Sequence, residues 1–235
     1  MPPFVRQLRA GRDFAAGDDT ADQMANFVYL LGDDATREVV VVDPAWDIDG
    51  LLRVIDAADY KLVGALITHY HPDHCGGQLF GFRVQGIARL LEKRPCPIHV
   101  HRAERHGVQV VTGVGDGDLV VHDSGDKVRV GGVEVELLHT PGHTPGSMCF
   151  RCGDALVSGD TLFLQGCGRV DLPGGDSDEM FRTLTTRIAT LPDDLVVYPG
   201  HHYSPPVSAS LGDVKRTNAV MRVSDLRDWR RMMGR

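Results

Sequence analysis

The sequence has no surplus of basic residues and no long apolar run. Its 25 Lys and Arg residues stand against 32 Asp and Glu residues, a formal net charge of −7 at pH 7. It therefore lacks the positive charge with which proteins bind a nucleic-acid backbone. No apolar run approaches the roughly 20 residues that span a bilayer, and the first residues lack the pattern of a signal peptide. We expect a cytoplasmic protein that binds neither nucleic acid nor a membrane.

Cysteine is also scarce. Five cysteines, an odd number, in a chain of 235 residues make a disulfide framework improbable. With 42% hydrophobic and 24% charged residues, the chain can bury a full core and is not disordered. The sequence shows no repeat, low-complexity tract or linker, so we predict one domain over residues 1–235.

Short runs rich in β-branched residues and bounded by turn formers predict eight strands. These lie at 26–32, 38–43, 63–69, 97–101, 133–140, 147–152, 155–160 and 195–200. Apolar residues at helical spacing predict helices over 47–58, 82–94 and 177–191. Strands that alternate with helices indicate an α/β protein whose helices cover the faces of its sheets.

Histidine is abundant, with 11 residues, and four metal-binding side chains follow the strand at 63–69 directly. Alternate side chains of an extended segment point the same way, so His69 and His71 should face one side together. Asp73 and His74 come next, where the chain must turn, and we expect a helix to begin there. Three imidazoles and one carboxylate within six residues suit Zn, Fe or Mn.

Three further candidate ligands each lie at the end of a predicted strand and beside glycine. They are His143 in GHTPGS, Asp160 in SGDTLF and His201 in PGHHYS. We predict a two-metal site. One ion is assigned to His69, His71 and His143, the other to Asp73, His74 and His201, and Asp160 bridges the two.

These segments, preceded by VVVDP, resemble the five ordered motifs of the metallo-β-lactamase superfamily. The resemblance extends from Asp43 to about Tyr203. It implies a four-layer αββα sandwich, in which two mixed sheets are flanked by helices and the metals lie at one edge. It also implies that Asp43 supports the metal-binding loop from outside the ligand set.

Within the superfamily, two branches are disfavoured. Asp160 stands where true β-lactamases usually have cysteine, and His71 stands where flavodiiron proteins have glutamate. The segment 158–204 resembles glyoxalase II and the persulfide dioxygenases, which act on sulfur-linked glutathione derivatives. That resemblance assigns Arg169 and Tyr203 to the binding of a small thiol-linked substrate.

Two functions remain open at this point. The first is a hydrolase that cleaves a thioester or related ester with two divalent transition metals, zinc first and iron or manganese next, and with Asp73 as proton shuttle. The second is a dioxygenase of thiol persulfides with a single iron on His69, His143 and Asp160. A metal-binding protein without turnover is disfavoured, because no ligand is missing.

Sequence features support each of the two functions. The GDTLF and PGHHY segments and Pro72 favour the hydrolase. The run GCGRVD at 166–171, and a segment after His201 that is shorter than the glutathione-binding tail of glyoxalase II, favour the dioxygenase. The sequence leaves the acyl group, the thiol carrier, the metal and the oligomeric state open.

Overall fold

The computed structural model describes residues 3–234, and fourteen strands and eight α-helices form in this part of the chain. The strands are β1 (Phe4–Arg9), β2 (Phe27–Asp33), β3 (Glu38–Val42), β4 (Lys61–Leu66), β5 (Gly77–Leu79), β6 (Phe82–Val84), β7 (Ile98–His101), β8 (Leu119–His122), β9 (Lys127–Val130), β10 (Val133–His139), β11 (Met148–Cys152), β12 (Ala155–Gly159), β13 (Val196–Pro199) and β14 (Ala209–Ser210). The helices are α1 (Asp19–Met24), α2 (Ile48–Ala57), α3 (Pro72–Cys75), α4 (Ile87–Lys93), α5 (Arg105–Thr112), α6 (Ser177–Arg182), α7 (Leu211–Thr217) and α8 (Leu226–Met232).

The strands form two mixed six-stranded sheets and one small hairpin. The first sheet has the order β1-β2-β3-β4-β7-β8, antiparallel over its first three strands and parallel from β3 onward. The second has the order β14-β13-β12-β11-β10-β9, with one parallel pair, β12 and β13. The hairpin pairs β5 with β6. Parallel neighbours in the first sheet require the crossover helices that the sequence supplies between them.

Three buried clusters separate four layers. Between the sheets, Tyr29 and Val42 of the first pack against Phe150 and Val157 of the second. Outside the first sheet lie buried residues of α1, α2, α4 and α5, and outside the second lie those of α6, α7 and α8. The near-continuous apolar runs of β2 and β3 are explained by this arrangement, because strands covered on both faces have no polar side. The expected αββα sandwich is confirmed.

All eight predicted strands form, with shifted ends. The strand predicted at 63–69 is β4, Lys61–Leu66, so it ends before His69. The helix predicted over 47–58 is α2, which Asp47 caps by accepting a hydrogen bond from the Gly50 amide. The helix predicted over 177–191 begins with α6 and continues as a π-helical turn and a 3₁₀ turn.

The helix predicted over 82–94 is wrong in its first part. Residues Phe82–Val84 form β6, and the helix begins only at Ile87. Gly86 separates the two, with an extended backbone and so close to the Cys75 carbonyl oxygen that a Cβ there would lie 2.0 Å from it. Close backbone approach, which only glycine permits, ends the strand before the helix starts.

In the described part of the chain, no helix is long and apolar enough to cross a membrane.

Candidate metal centre

The seven predicted ligands converge at one edge of the sandwich, where strands of both sheets end. From the first sheet, the loop after β4 carries His69 and His71, and α3 carries Asp73 and His74. Pro72 occupies the first turn of α3, where a missing amide hydrogen costs nothing. From the second sheet come residues that follow β10, β12 and β13, namely His143, Asp160 and His201.

Three ring nitrogens form the first ligand set. His71 Nδ1 lies 3.0 Å from His69 Nε2 and 3.0 Å from His143 Nε2, and the latter two atoms are 3.2 Å apart. The other nitrogen of His143 donates to the Arg169 carbonyl oxygen at 2.7 Å. The other nitrogen of His69 lies 2.9 Å from the Thr68 hydroxyl. A neutral imidazole that donates from one nitrogen leaves a lone pair on the other.

A second set of three forms beside it. Nε2 of His74 lies 3.2 Å from Nε2 of His201, and Asp73 Oδ2 lies 3.3 and 3.4 Å from these two nitrogens. Nδ1 of His201 donates to the Met24 carbonyl oxygen at 2.8 Å, and Nδ1 of His74 to Asp43 at 2.9 Å. Both rings therefore present bare Nε2 atoms to the same space.

Asp160 lies between the two sets. Its carboxylate oxygens are 3.5 Å from His74 Nε2, 3.7 Å from His143 Nε2 and 3.4 Å from His201 Nε2. Its Oδ1 atom is buried without a hydrogen-bond partner within residues 3–234. A buried carboxylate oxygen left unpaired is costly unless a cation meets it.

The ionisation of His69, His71 and the two carboxylates suits metal binding. Burial lowers the pKa of His69 well below its usual range and lowers the pKa of His71 to about 4. Burial alone would raise the pKa of Asp73 and of Asp160, but the imidazoles around them outweigh it and hold both pKa values below the usual range. The same two carboxylates outweigh burial at the second set and raise the pKa of His74 and of His201. Metal binding there would displace protons, because neutral imidazoles and ionised carboxylates are the forms that ligate metals.

These observations together fit two cations. In two of these nitrogen pairs, His69 with His143 and His74 with His201, the other nitrogen of each ring is already hydrogen-bonded. When these rings are neutral, their facing Nε2 atoms, 3.2 Å apart in both pairs, carry lone pairs, and a cation would relieve the repulsion between them. Space for the ligands is also kept open by glycine. A Cβ on Gly168 would lie 2.9 Å from His143 Nδ1, and one on Gly200 would lie 2.3 Å from Asp160 Oδ1. Nitrogen and carboxylate donors suit zinc, iron and manganese.

Asp43 supports the cluster from beneath, as the resemblance implied. It accepts from the Thr68 amide at 2.7 Å and from the Thr68 hydroxyl at 2.6 Å, and it holds His74 as described. Thr68 in turn contacts His69, so one carboxylate orients a ligand of each set. The backbone of Asp43 lies in the left-handed region, with φ of 53°.

Sequence reasoning missed two supporting residues. The Asn26 amide donates to Asp73 Oδ2 at 3.0 Å, and its oxygen accepts from the Trp46 indole at 3.1 Å. Glu104, fully buried, accepts from the Tyr70 amide at 2.7 Å, the Gly146 amide at 2.7 Å and the Thr144 hydroxyl at 2.6 Å. No motif marks either residue, because their role depends on contacts distant in sequence.

A cavity of about 690 Å³ opens over the cluster. Both predicted substrate contacts line it. Arg169 is paired there with Asp171 at 2.8 Å, and Tyr203 stacks on the His201 ring at 4.6 Å between centroids. The binding of substrate by either residue remains a prediction.

Comparisons with known proteins agree with this geometry. A family model described as Metallo-beta-lactamase superfamily matches residues 21–201. The chain is 28% identical to the probable polyketide biosynthesis zinc-dependent hydrolase BaeB of Bacillus velezensis, over 85% of this chain and 83% of that protein. It is 36% identical to a hydroxyacylglutathione hydrolase of Polaromonas sp., over 78% of this chain and 65% of that protein.

The chain is also similar to a solved structure over nearly its whole length. The crystal structure of ETHE1 from Myxococcus xanthus matches with a TM-score of 0.77 and 29% identity, over 98% of this chain and 90% of that one. The family match spans most of the chain and contains all seven converging residues. The chain therefore belongs to the metallo-β-lactamase superfamily.

Proposed function

We propose that this protein is a hydrolase that uses two divalent transition metals to cleave a thioester or a related ester. One ion is held by His69, His71 and His143. The other is held by Asp73, His74 and His201. Asp160 is shared between them.

The observation that carries this proposal is the second ligand set. Its three donor atoms lie within 3.4 Å of one another, and the outer nitrogens of His74 and His201 are both already hydrogen-bonded. In a dinuclear hydrolase this second set would hold the second ion, whereas a dioxygenase with a single iron would leave the same residues without one. Preorganised donors are what a second metal requires.

Two metals held by these residues would supply a Lewis acid and would lower the pKa of a bound water toward neutrality. The chain's own residues account for the remaining requirements. Asp73 faces the cavity and stays ionised, so its carboxylate can take the proton that water loses as it adds to the acyl carbon. The Asn26 amide fixes the orientation of that carboxylate. The thiolate leaves without a strong acid, because thiols are far more acidic than alcohols.

The persulfide dioxygenase is the second candidate. The run 166–171, GCGRVD, favours it through its resemblance to those enzymes, and it adjoins the site, since the Arg169 carbonyl oxygen accepts from His143. That reaction would need only His69, His143 and Asp160. The two candidates therefore differ in their dependence on the second ligand set.

His74→Ala separates the two candidates. Thiol release from S-lactoylglutathione and oxygen consumption with glutathione persulfide are measured on wild type, on His74→Ala and on His106→Ala, whose histidine is exposed on α5. For a hydrolase we expect thioester cleavage by wild type and His106→Ala and its near loss in His74→Ala. Oxygen consumption without thioester cleavage in wild type, kept by His74→Ala, would replace the hydrolase with the dioxygenase.

A further inference from the structure

The hairpin of β5 and β6 has an unusual residue in its turn. Leu79 pairs with Phe82, so Phe80 and Gly81 form a two-residue turn. Both have positive φ, 49° and 90°, as the tight hairpin turn of type I′ requires. Asn-Gly or Asp-Gly is the usual sequence for such a turn, and a bulky residue in the left-handed region is a genuine outlier. Phenylalanine at this position therefore disfavours the backbone conformation that the turn requires.

Phe80 is also the most exposed large apolar residue in the described part of the chain. It is 83% exposed, although Phe82 on the opposite side of the turn packs toward Trp46, with ring centroids 6.5 Å apart. Phe80 lines the cavity over the metal centre. An aromatic side chain that is both exposed and held in an unfavourable conformation at a cavity mouth indicates a ligand contact.

Apart from the candidate metal ligands and Arg169, the cavity wall is mostly apolar. Tyr203, 56% exposed, also lines the mouth, and its ring packs edge-on against Phe163 at 5.3 Å. Further apolar lining residues are Met24, Leu79, Leu172 and Pro173. The mouth is therefore formed by side chains whose apolar surface would be removed from water by an apolar ligand, which favours binding of such a ligand.

Charge limits what else the cavity can bind. Of the described lining residues, Arg169 alone carries a guanidinium or ammonium group. That group already makes two hydrogen bonds to the Asp171 carboxylate, of 3.0 and 2.8 Å. The common cellular thiol carriers bear carboxylates or phosphates, which need free cationic partners in a binding site. The cavity wall therefore offers more contacts to the acyl side of a thioester than to an anionic thiol.

We infer that the cavity binds the apolar acyl chain of a thioester and that Phe80 determines this specificity by covering the chain. The inference rests on the proposed hydrolase function. The acyl carbon lies at the metal centre, the chain extends along Phe163 and Leu79, and the Phe80 ring closes over it. Each methylene buried there should raise kcat/KM about fourfold, from the usual free energy of burying a methylene.

The test is hydrolysis of acetyl, butyryl and hexanoyl thioesters of two thiols, neutral N-acetylcysteamine and anionic glutathione. For wild type we expect kcat/KM to rise about fourfold per methylene on both thiols. Phe80→Asn should abolish most of this rise. Because asparagine favours this turn, Phe80→Asn should be at least as thermally stable as wild type. Val110→Ala, at an exposed valine on α5, controls for loss of surface apolar area.

Binding is measured alongside, with uncleavable ketone analogues of the acetyl and hexanoyl N-acetylcysteamine esters, in which a methylene separates the carbonyl from sulfur. Calorimetry should show tighter binding of the hexanoyl analogue by wild type and loss of that preference in Phe80→Asn. If no thioester is cleaved but this preference is seen, the hydrolase proposal fails and the acyl-binding inference stands. Binding or turnover that is indifferent to chain length, or a chain-length preference unchanged in Phe80→Asn, would overturn the inference.

Discussion

Three histidines of the cluster each use one ring nitrogen for a hydrogen bond to the protein and direct the other toward the candidate metal centre. His143 and His201 each donate one N–H to a carbonyl oxygen, and His74 donates one to Asp43. Asp43 and Asp160 are both buried carboxylates, but only Asp160 lies among the bare nitrogens of both ligand sets. The two aspartates should therefore respond differently to removal.

Asp43→Ala should lower activity by about 10–100-fold, the usual effect of losing a partner behind a ligand. Asp160→Ala should lower it further and reduce the metal content, because a ligand common to both ions is lost. Steady-state kinetics and metal analysis of both variants check this, with Asp154→Ala at an exposed position as the control. Equal activity and equal metal content in the Asp43 and Asp160 variants would contradict the assignment of Asp160 as the shared ligand.

At the scale of elements, two loops that carry ligands are joined by the carboxylate of one buried residue. Glu104 lies at the start of α5 and accepts from Tyr70, between two histidines of the first loop, and from Thr144 and Gly146 of the loop that carries His143. Burial raises the pKa of Glu104, and the three hydrogen bonds offset part of this effect. We regard Glu104 as a positioning residue for the first ligand set.

Glu104→Ala should lose stability and metal from the first set. The Gly146 and Tyr70 amides would be left without an acceptor, at about 1–3 kcal/mol each, whereas the Thr144 hydroxyl would keep Ser147 as a partner. A loss of at least about 2 kcal/mol lowers Tm by at least about 4 °C in a chain of this size. Differential scanning calorimetry and metal analysis check this, with Glu92→Ala, exposed on α4, as the control. A lowered Tm with unchanged metal content would show that Glu104 stabilises the fold without positioning the ligands.

Much of the element pattern could be predicted from sequence because the inner strands are covered on both faces. Runs such as 39–42, four consecutive valines, are apolar throughout and cannot be mistaken for polar loops. The outer strands β8 and β9 were missed because each has only four residues, and in β9 exposed charged residues alternate with buried valines. The β5–β6 hairpin was missed because Phe80-Gly81 does not have the usual residues of its turn.

The candidate site, too, could be predicted only in part from the sequence. Histidines and aspartates that follow strands within a few residues of glycine can be recognised locally, and the structure brings all seven together. Asn26 and Glu104 could not be found, because each contacts the ligand loops only through the tertiary fold.

At the scale of the whole molecule, the metal centre lies where the two sheets meet. Ligands on loops after β4 come from the first sheet, and those after β10, β12 and β13 come from the second. Ions held there would link the two halves of the sandwich. Metal binding to the folded state alone stabilises it by mass action.

Chelation should therefore lower the thermal stability of the protein. An ion present at 100 times its Kd adds about 2.7 kcal/mol, which corresponds to a Tm change of about 5–10 °C per ion in a chain of this size. Thermal unfolding is followed before and after removal of metal by a chelator, and again after metal is restored. An unchanged Tm, with complete removal shown by metal analysis, would contradict the view that the ions join the sheets.

The central claim is that two ions are bound by two prepared ligand sets, and metal stoichiometry tests it most directly. Elemental analysis is carried out on the protein purified gently without chelators, together with His201→Ala, which removes one ligand of the second set only. We expect about two transition-metal ions per chain in wild type, about one in His201→Ala, and loss of thioester hydrolysis when the metal is removed. Much less than one ion per chain in wild type, with hydrolysis intact, would contradict the account.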